Sequence, residues 1–183
     1  MLVVALALLA LLVAAGILVA TSHSSSPKPA ATSTSTSTPA PAATTTVQAV
    51  SVSTLKALPG VLGHPVYWAG ARTGTTYELT RSPDGRVYIR YLTGRAKVGS
   101  PLPNFLTVGT YVVPNAAAAV RAAAAQPGAV RVPVSGGVGF YNRARPTSVY
   151  FAYPGSNVQV ETYDPSPALA RRLVESGAIQ PIG

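Results

Sequence analysis

The sequence predicts an α+β protein in three parts: an N-terminal transmembrane helix, a disordered tether, and a small domain of antiparallel strands with two helices. Three observations predict it. The chain opens on unbroken apolar sequence, continues into a Ser/Thr/Pro tract, and then alternates short Tyr-, Val- and Ile-rich runs with turn residues. With the first two segments set aside, the 183 residues leave one domain. The boundaries fall at residues 1–21 for the anchor, 22–46 for the tether and 47–183 for the folded domain.

Leu2 to Ala20 reads LVVALALLALLVAAGILVA, without a charge. A stretch of that length nearly crosses a bilayer core, which needs about 20 apolar residues, and only a helix satisfies its backbone there. It exceeds the apolar region of a secretory signal, roughly 7–15 residues, and no basic residues precede it. The alternative, a cleaved signal and a secreted protein, rests on the small residues Ala20-Thr21-Ser22. Lys28 after the helix mildly favours a cytoplasmic C-terminus. The tether composition argues the other way, and the expectation is a single-pass protein of the cell membrane with its domain outside the cytoplasm. That tether, TSHSSSPKPAATSTSTSTPAPAATTT, has no large apolar side chain to offset the entropy of ordering. It resembles a glycosylated stalk or plain spacer.

Within the domain, TYELTR-SPDG-RVYIRY is a hairpin. Pro83-Asp84-Gly85 suits a tight turn with Gly85 at positive φ. The register pairs Tyr77 with Tyr91 and Leu79 with Ile89 on one face, and Glu78 with Arg90 and Thr80 with Tyr88 on the other. Phe105 to Val113 forms another strand, and Asn115 caps an Ala-rich helix ending near Gln126. A second helix, PALARRLVES, begins at Asp164 or Ser166, ends at Gly177, and turns Leu169, Leu173 and Val174 to the sheet.

The pattern recurs. Pro59–Val66 matches Pro127–Val134, Val87-Tyr88-Ile89-Arg90-Tyr91 matches Val149-Tyr150-Phe151-Ala152-Tyr153, and Val108-Gly109-Thr110-Tyr111 matches Val160-Glu161-Thr162-Tyr163. The reading is an internally duplicated strand-strand-strand-helix unit, with repeats at 59–126 and 127–183. The rival explanation is ordinary strand chemistry in a Tyr-rich domain.

Composition excludes much chemistry. No Cys is present, which removes disulfides, thiolate metal sites and Cys nucleophiles. His64 is the sole His of the domain, so no metal site and no cofactor is expected. Ser53-Thr54-Leu55-Lys56 matches S-x-x-K but lacks its companion elements, and Ser135-Gly136-Gly137-Val138-Gly139 lacks the Lys and helix of a phosphate loop. Each carboxylate has a structural explanation, so no catalytic residue is assigned and the chain is not expected to be an enzyme.

The net charge of +9 directs attention to Arg86, Tyr88 and Arg90 on one hairpin face, and the single Trp68 is the other ligand-binding candidate. The expected function is a membrane-anchored extracytoplasmic module binding an anionic lipid, an envelope polymer or glycan, or a partner protein, with nucleic acid set aside. The alternative is a small envelope hydrolase with a Ser or carboxylate site of unfamiliar form.

Overall fold

The computed structural model describes residues 44–183; the expected membrane anchor and nearly all of the tether lie outside the described residues. Those residues form mostly antiparallel strands with three helices. In chain order they are β1 (Thr46–Val50), α1 (Val52–Leu62), β2 (Tyr67–Trp68), β3 (Thr76–Arg81), β4 (Val87–Leu92), β5 (Thr107–Val112) and α2 (Ala116–Ala124). There follow β6 (Ala129–Val132), β7 (Val138–Asn142), β8 (Arg145–Ala152), β9 (Val158–Tyr163), α3 (Pro167–Glu175) and β10 (Gln180–Pro181). Among the described residues, no helix is long and apolar enough to cross a membrane.

Eight strands make one sheet in the order β1-β3-β4-β5-β9-β8-β7-β6, and β2 pairs with β10 separately. The hairpin β3–β4 has the register expected from its alternation: Tyr77 opposite Tyr91, Glu78 opposite Arg90, Leu79 opposite Ile89 and Thr80 opposite Tyr88. Gly85 sits in its turn at φ 81°, where a Cβ would be strained.

The order reads alike from either edge toward the central pair β5–β9. Tyr88 lies opposite Gly109, and Tyr150 lies opposite Glu161. Likewise Ile89 pairs with Val108 as Phe151 pairs with Val160, and Glu78 with Arg90 as Val138 with Ala152. The motif pairs on β4/β8 and β5/β9 thus occupy matching registers without a slip. The first motif pair does not. Pro59-Gly60 lies inside α1, whereas Pro127-Gly128 precedes β6. Ser51 caps α1 by accepting from the Thr54 N–H (3.1 Å), and Leu55 and Leu58 face the core, so the segment is helical despite its proline. In the first half the edge position that β6 holds in the second is filled by β1, a strand that begins at Thr46.

One sheet face carries the main core: Leu79, Val87, Ile89, Val108, Val149, Phe151 and Val160, covered by Leu55 and Leu58 of α1 and by α3. In α3, Ala170, Leu173 and Val174 are buried while Leu169 is exposed, which corrects the expected stripe by one position. Ser166 is the cap residue, so the apolar set at i, i+3 and i+4 runs from Ala170. The helix α2 covers the opposite face, where Ala116, Ala117 and Val120 pack with Ala152, Val138 and Phe140. Asn115 holds its N-cap position in the left-handed region (φ 52°) without a side-chain cap; its own N–H is taken by Asn157 Oδ1 at 3.1 Å.

Candidate functional site

The face opposite the main core has three zones. Over β7 and β8 lies α2. Over β3 and β4 lies the connection 93–106, which folds back on the hairpin. Between them, around the central pair β5–β9, alternation brings up Tyr88, Tyr111, Tyr150 and Glu161.

The connection is held by a buried ion pair. The Arg90 guanidinium donates to Glu78 Oε1 at 2.7 Å, to the Ser100 carbonyl at 3.0 Å and to the Leu102 carbonyl at 2.9 Å. It also lies 5.3 Å from the Phe105 ring centroid. The second oxygen of Glu78 accepts from the Gly99 N–H, and the Glu78 side chain is 1% exposed. Arg90 was expected on a solvated ligand-binding face; instead its donors are engaged inside the domain, because the residues after β4 wrap over it. Arg86 stays at the hairpin mouth, paired with Asp84, and both side chains reach solvent. The hydrogen bond from Arg86, reinforced by Ser82, holds the Asp84 carboxyl well below the usual carboxylate range.

At the centre, Glu161 is 7% exposed. Its Oε1 accepts from the Tyr150 hydroxyl at 3.0 Å and its Oε2 from the Tyr111 hydroxyl. Among the described residues it has no ion pair. The residue opposite it is Gly109, and a Cβ there would sit 2.8 Å from the Tyr111 hydroxyl oxygen. Glycine at that place leaves room for the Tyr111 phenol to fold across the strand to the carboxylate. Burial, and then the nearby Glu161 charge, push the Tyr111 and Tyr150 phenols far above their ordinary value. The Tyr88 and Tyr111 rings meet edge to face at 5.7 Å, and Phe140 stacks on Tyr150 at 5.5 Å.

Of the four residues singled out from the sequence, Tyr88 and Arg86 lie at this face, Arg90 is turned inward, and Trp68 is elsewhere. Trp68 is half-buried on β2, pairs with Gln180, and tilts against Tyr77 on the core side at 6.5 Å. Sequence reasoning missed Glu161, Tyr111 and Tyr150 as a group. Each lay in a matched motif, but only the strand order β4-β5-β9-β8 brings them together.

Two clefts open at opposite ends of the β5–β9 seam. One, of about 640 Å³, is lined by His64, Val112, Pro154 and Val158. The other, of about 190 Å³, is lined by Arg72, Tyr91, Asn104, Leu106 and Asp164. Ser53 and Lys56 of the S-x-x-K match are exposed on α1, where the Ser53 hydroxyl bonds Ser51 at 2.7 Å. Comparison with known proteins finds no family model, no curated relative and no solved structure that matches the chain.

Proposed function

We propose that the chain is a membrane-anchored, single-pass, extracytoplasmic binding module, not an enzyme, that holds a neutral envelope glycan against the centre of its sheet. The observation that carries this is the group of Tyr88, Tyr111 and Tyr150 around the acceptor Glu161, between α2 and the connection 93–106. Aromatic rings flanking fixed hydrogen-bonding groups suit a sugar, which offers an apolar ring face and hydroxyl donors. An anionic polymer suits the place less well. Arg90 is spent on Glu78, Arg86 is paired with Asp84, and a carboxylate stands at the centre. The anchor and tether rest on the apolar Leu2–Ala20 and the Ser/Thr/Pro tract.

We read the domain as an internal duplication. The matching registers of β4–β5 and β8–β9 and the sheet order about the central pair support it. The first copy runs from β1 rather than from residue 59, with α1 and β2 inserted. The helices broke the symmetry later, since α2 and α3 pack on opposite faces.

A glycan array probed with the full-length chain and with Tyr88→Ala tests the function. The expected result is binding to one or more neutral polysaccharides that Tyr88→Ala weakens by about tenfold, about 1.4 kcal/mol. No binding to any polysaccharide overturns it. The runner-up, an envelope hydrolase, is favoured by Glu161, a buried carboxylate without a cation. Release of reducing ends from the bound polysaccharide, abolished in Glu161→Gln, would establish that reading instead.

A further inference from the structure

We propose that the smaller cleft, between Arg72 and Asp164, binds a free α-amino acid, with the ligand carboxylate on the Arg72 guanidinium and its ammonium on Asp164. This site is separate from the tyrosine face and does not depend on its function.

The two charges line one cleft of about 190 Å³ without touching each other, since no ion pair joins them. Arg72 is fixed from behind. Its N–H donates to the Tyr77 hydroxyl at 2.6 Å, and that hydroxyl donates to the Arg72 carbonyl at 3.2 Å. Its guanidinium lies 5.2 Å from the Tyr91 ring centroid and makes no hydrogen bond within the described residues. A stacked guanidinium keeps its in-plane donors free for a carboxylate fork. The Tyr91 hydroxyl is already committed, accepting from the Ala69 N–H at 2.6 Å and donating to the Gly70 carbonyl, so Tyr91 supplies a wall and not a polar contact.

Asp164 is 7% exposed. One carboxylate oxygen accepts from the Ser166 N–H at 2.8 Å, which accounts for its part in starting α3. The other oxygen has no partner among the described residues, although the residue is buried and lines the cleft. That oxygen reaches solvent within the cleft, where a ligand ammonium can donate to it.

The opposite end of the seam shows that the fold does not require this charge. Val112 follows Val108 on β5 by the same interval as Asp164 follows Val160 on β9, and Val112 lines the other cleft. There the place is apolar and 52% exposed. Opposed charges were therefore installed at one end only. A ligand that carries both signs a few bonds apart offers a partner to each of them, and the small volume suits a small molecule better than a polymer.

The test is the melting temperature of the full-length chain with glycine, L-alanine, L-leucine, L-phenylalanine or L-glutamine, each at about 10 mM. N-acetyl-L-leucine and L-leucinamide, each lacking one charge, are the controls. At least one free amino acid should raise the melting temperature, and the two controls should not. Titration calorimetry with that amino acid should then give at least about tenfold weaker binding for Arg72→Gln and for Asp164→Asn. Asp164→Asn keeps an acceptor for the Ser166 N–H, and a melt of each variant without ligand shows that it folds. If either variant does not fold, the controls alone decide. Silence from all five amino acids, equal response to the singly charged controls, or unchanged affinity in folded variants overturns the proposal.

Discussion

The two hairpins use the same sheet position in opposite ways. In the first, Glu78 and Arg90 face each other beneath the connection 93–106, and the pair ties that connection down. In the second, Val138 and Ala152 face each other in the corresponding register, beneath α2. An apolar pair suffices where a helix with its own hydrogen bonds covers the sheet. A connection without regular structure leaves carbonyl and N–H groups that need partners, and the ion pair supplies them. The difference teaches that the buried charges of the first half belong to its covering segment and not to the sheet.

The largest expected effect comes from breaking that pair. Arg90→Ala leaves Glu78 buried without a cation and should cost about 3–5 kcal/mol in denaturant unfolding. Glu78→Val with Arg90→Ala copies the second hairpin. It should recover part of the loss while freeing residues 93–106 to faster hydrogen exchange. A double variant no more stable than Arg90→Ala would argue that the contacts to Ser100 and Leu102 dominate.

The turns of the hairpins differ too. Gly85 requires positive φ, whereas the turn at Asn142–Arg145 uses no glycine and relies on Asn142 Oδ1 accepting the Ala144 N–H at 2.8 Å. Gly85→Val should therefore destabilise by about 1–3 kcal/mol. An unchanged melting temperature would count against the strained turn.

At the seam between the halves, alkaline pH is the probe. Tyr111 and Tyr150 are raised from 10.0, so the folded state favours their neutral forms. That contribution is fully present below the unfolded value and is lost as pH rises beyond it. Stability should thus be flat between pH about 8 and about 9.5 and fall above about 10. Tyrosinate absorbance from these phenols should emerge only with unfolding. The smallest effect is expected at the hairpin mouth. Arg86→Ser removes an exposed pair and should shift stability by under about 0.5 kcal/mol.

Much of the first hairpin was legible because alternation and turn chemistry are local. Its register and the position of Gly85 follow from residues 76–92 alone. The same holds for α3, apart from the one-position difference at Leu169. What was not legible depends on long-range choices. The helix α1 was hidden by Pro59-Gly60, which reads as a turn until Ser51 and the spacing of Leu55 and Leu58 are weighed together. Arg90 reads as a surface residue because nothing local says that the next segment folds back across it. Glu161 reads as an outward strand residue, and so it is. Its burial comes from Tyr111 and Tyr150, on two other strands.

The proposal of a glycan-holding face is tested most directly by the salt dependence of binding. Co-sedimentation of the full-length chain with the best polysaccharide from the array, at low and moderate ionic strength, compares charge with stacking. Binding should be nearly unchanged by salt, weakened by Tyr88→Ala and unaffected by Arg86→Ser. Binding that collapses with added salt and with Arg86→Ser, while surviving Tyr88→Ala, would contradict the proposal and return the function to the basic surface.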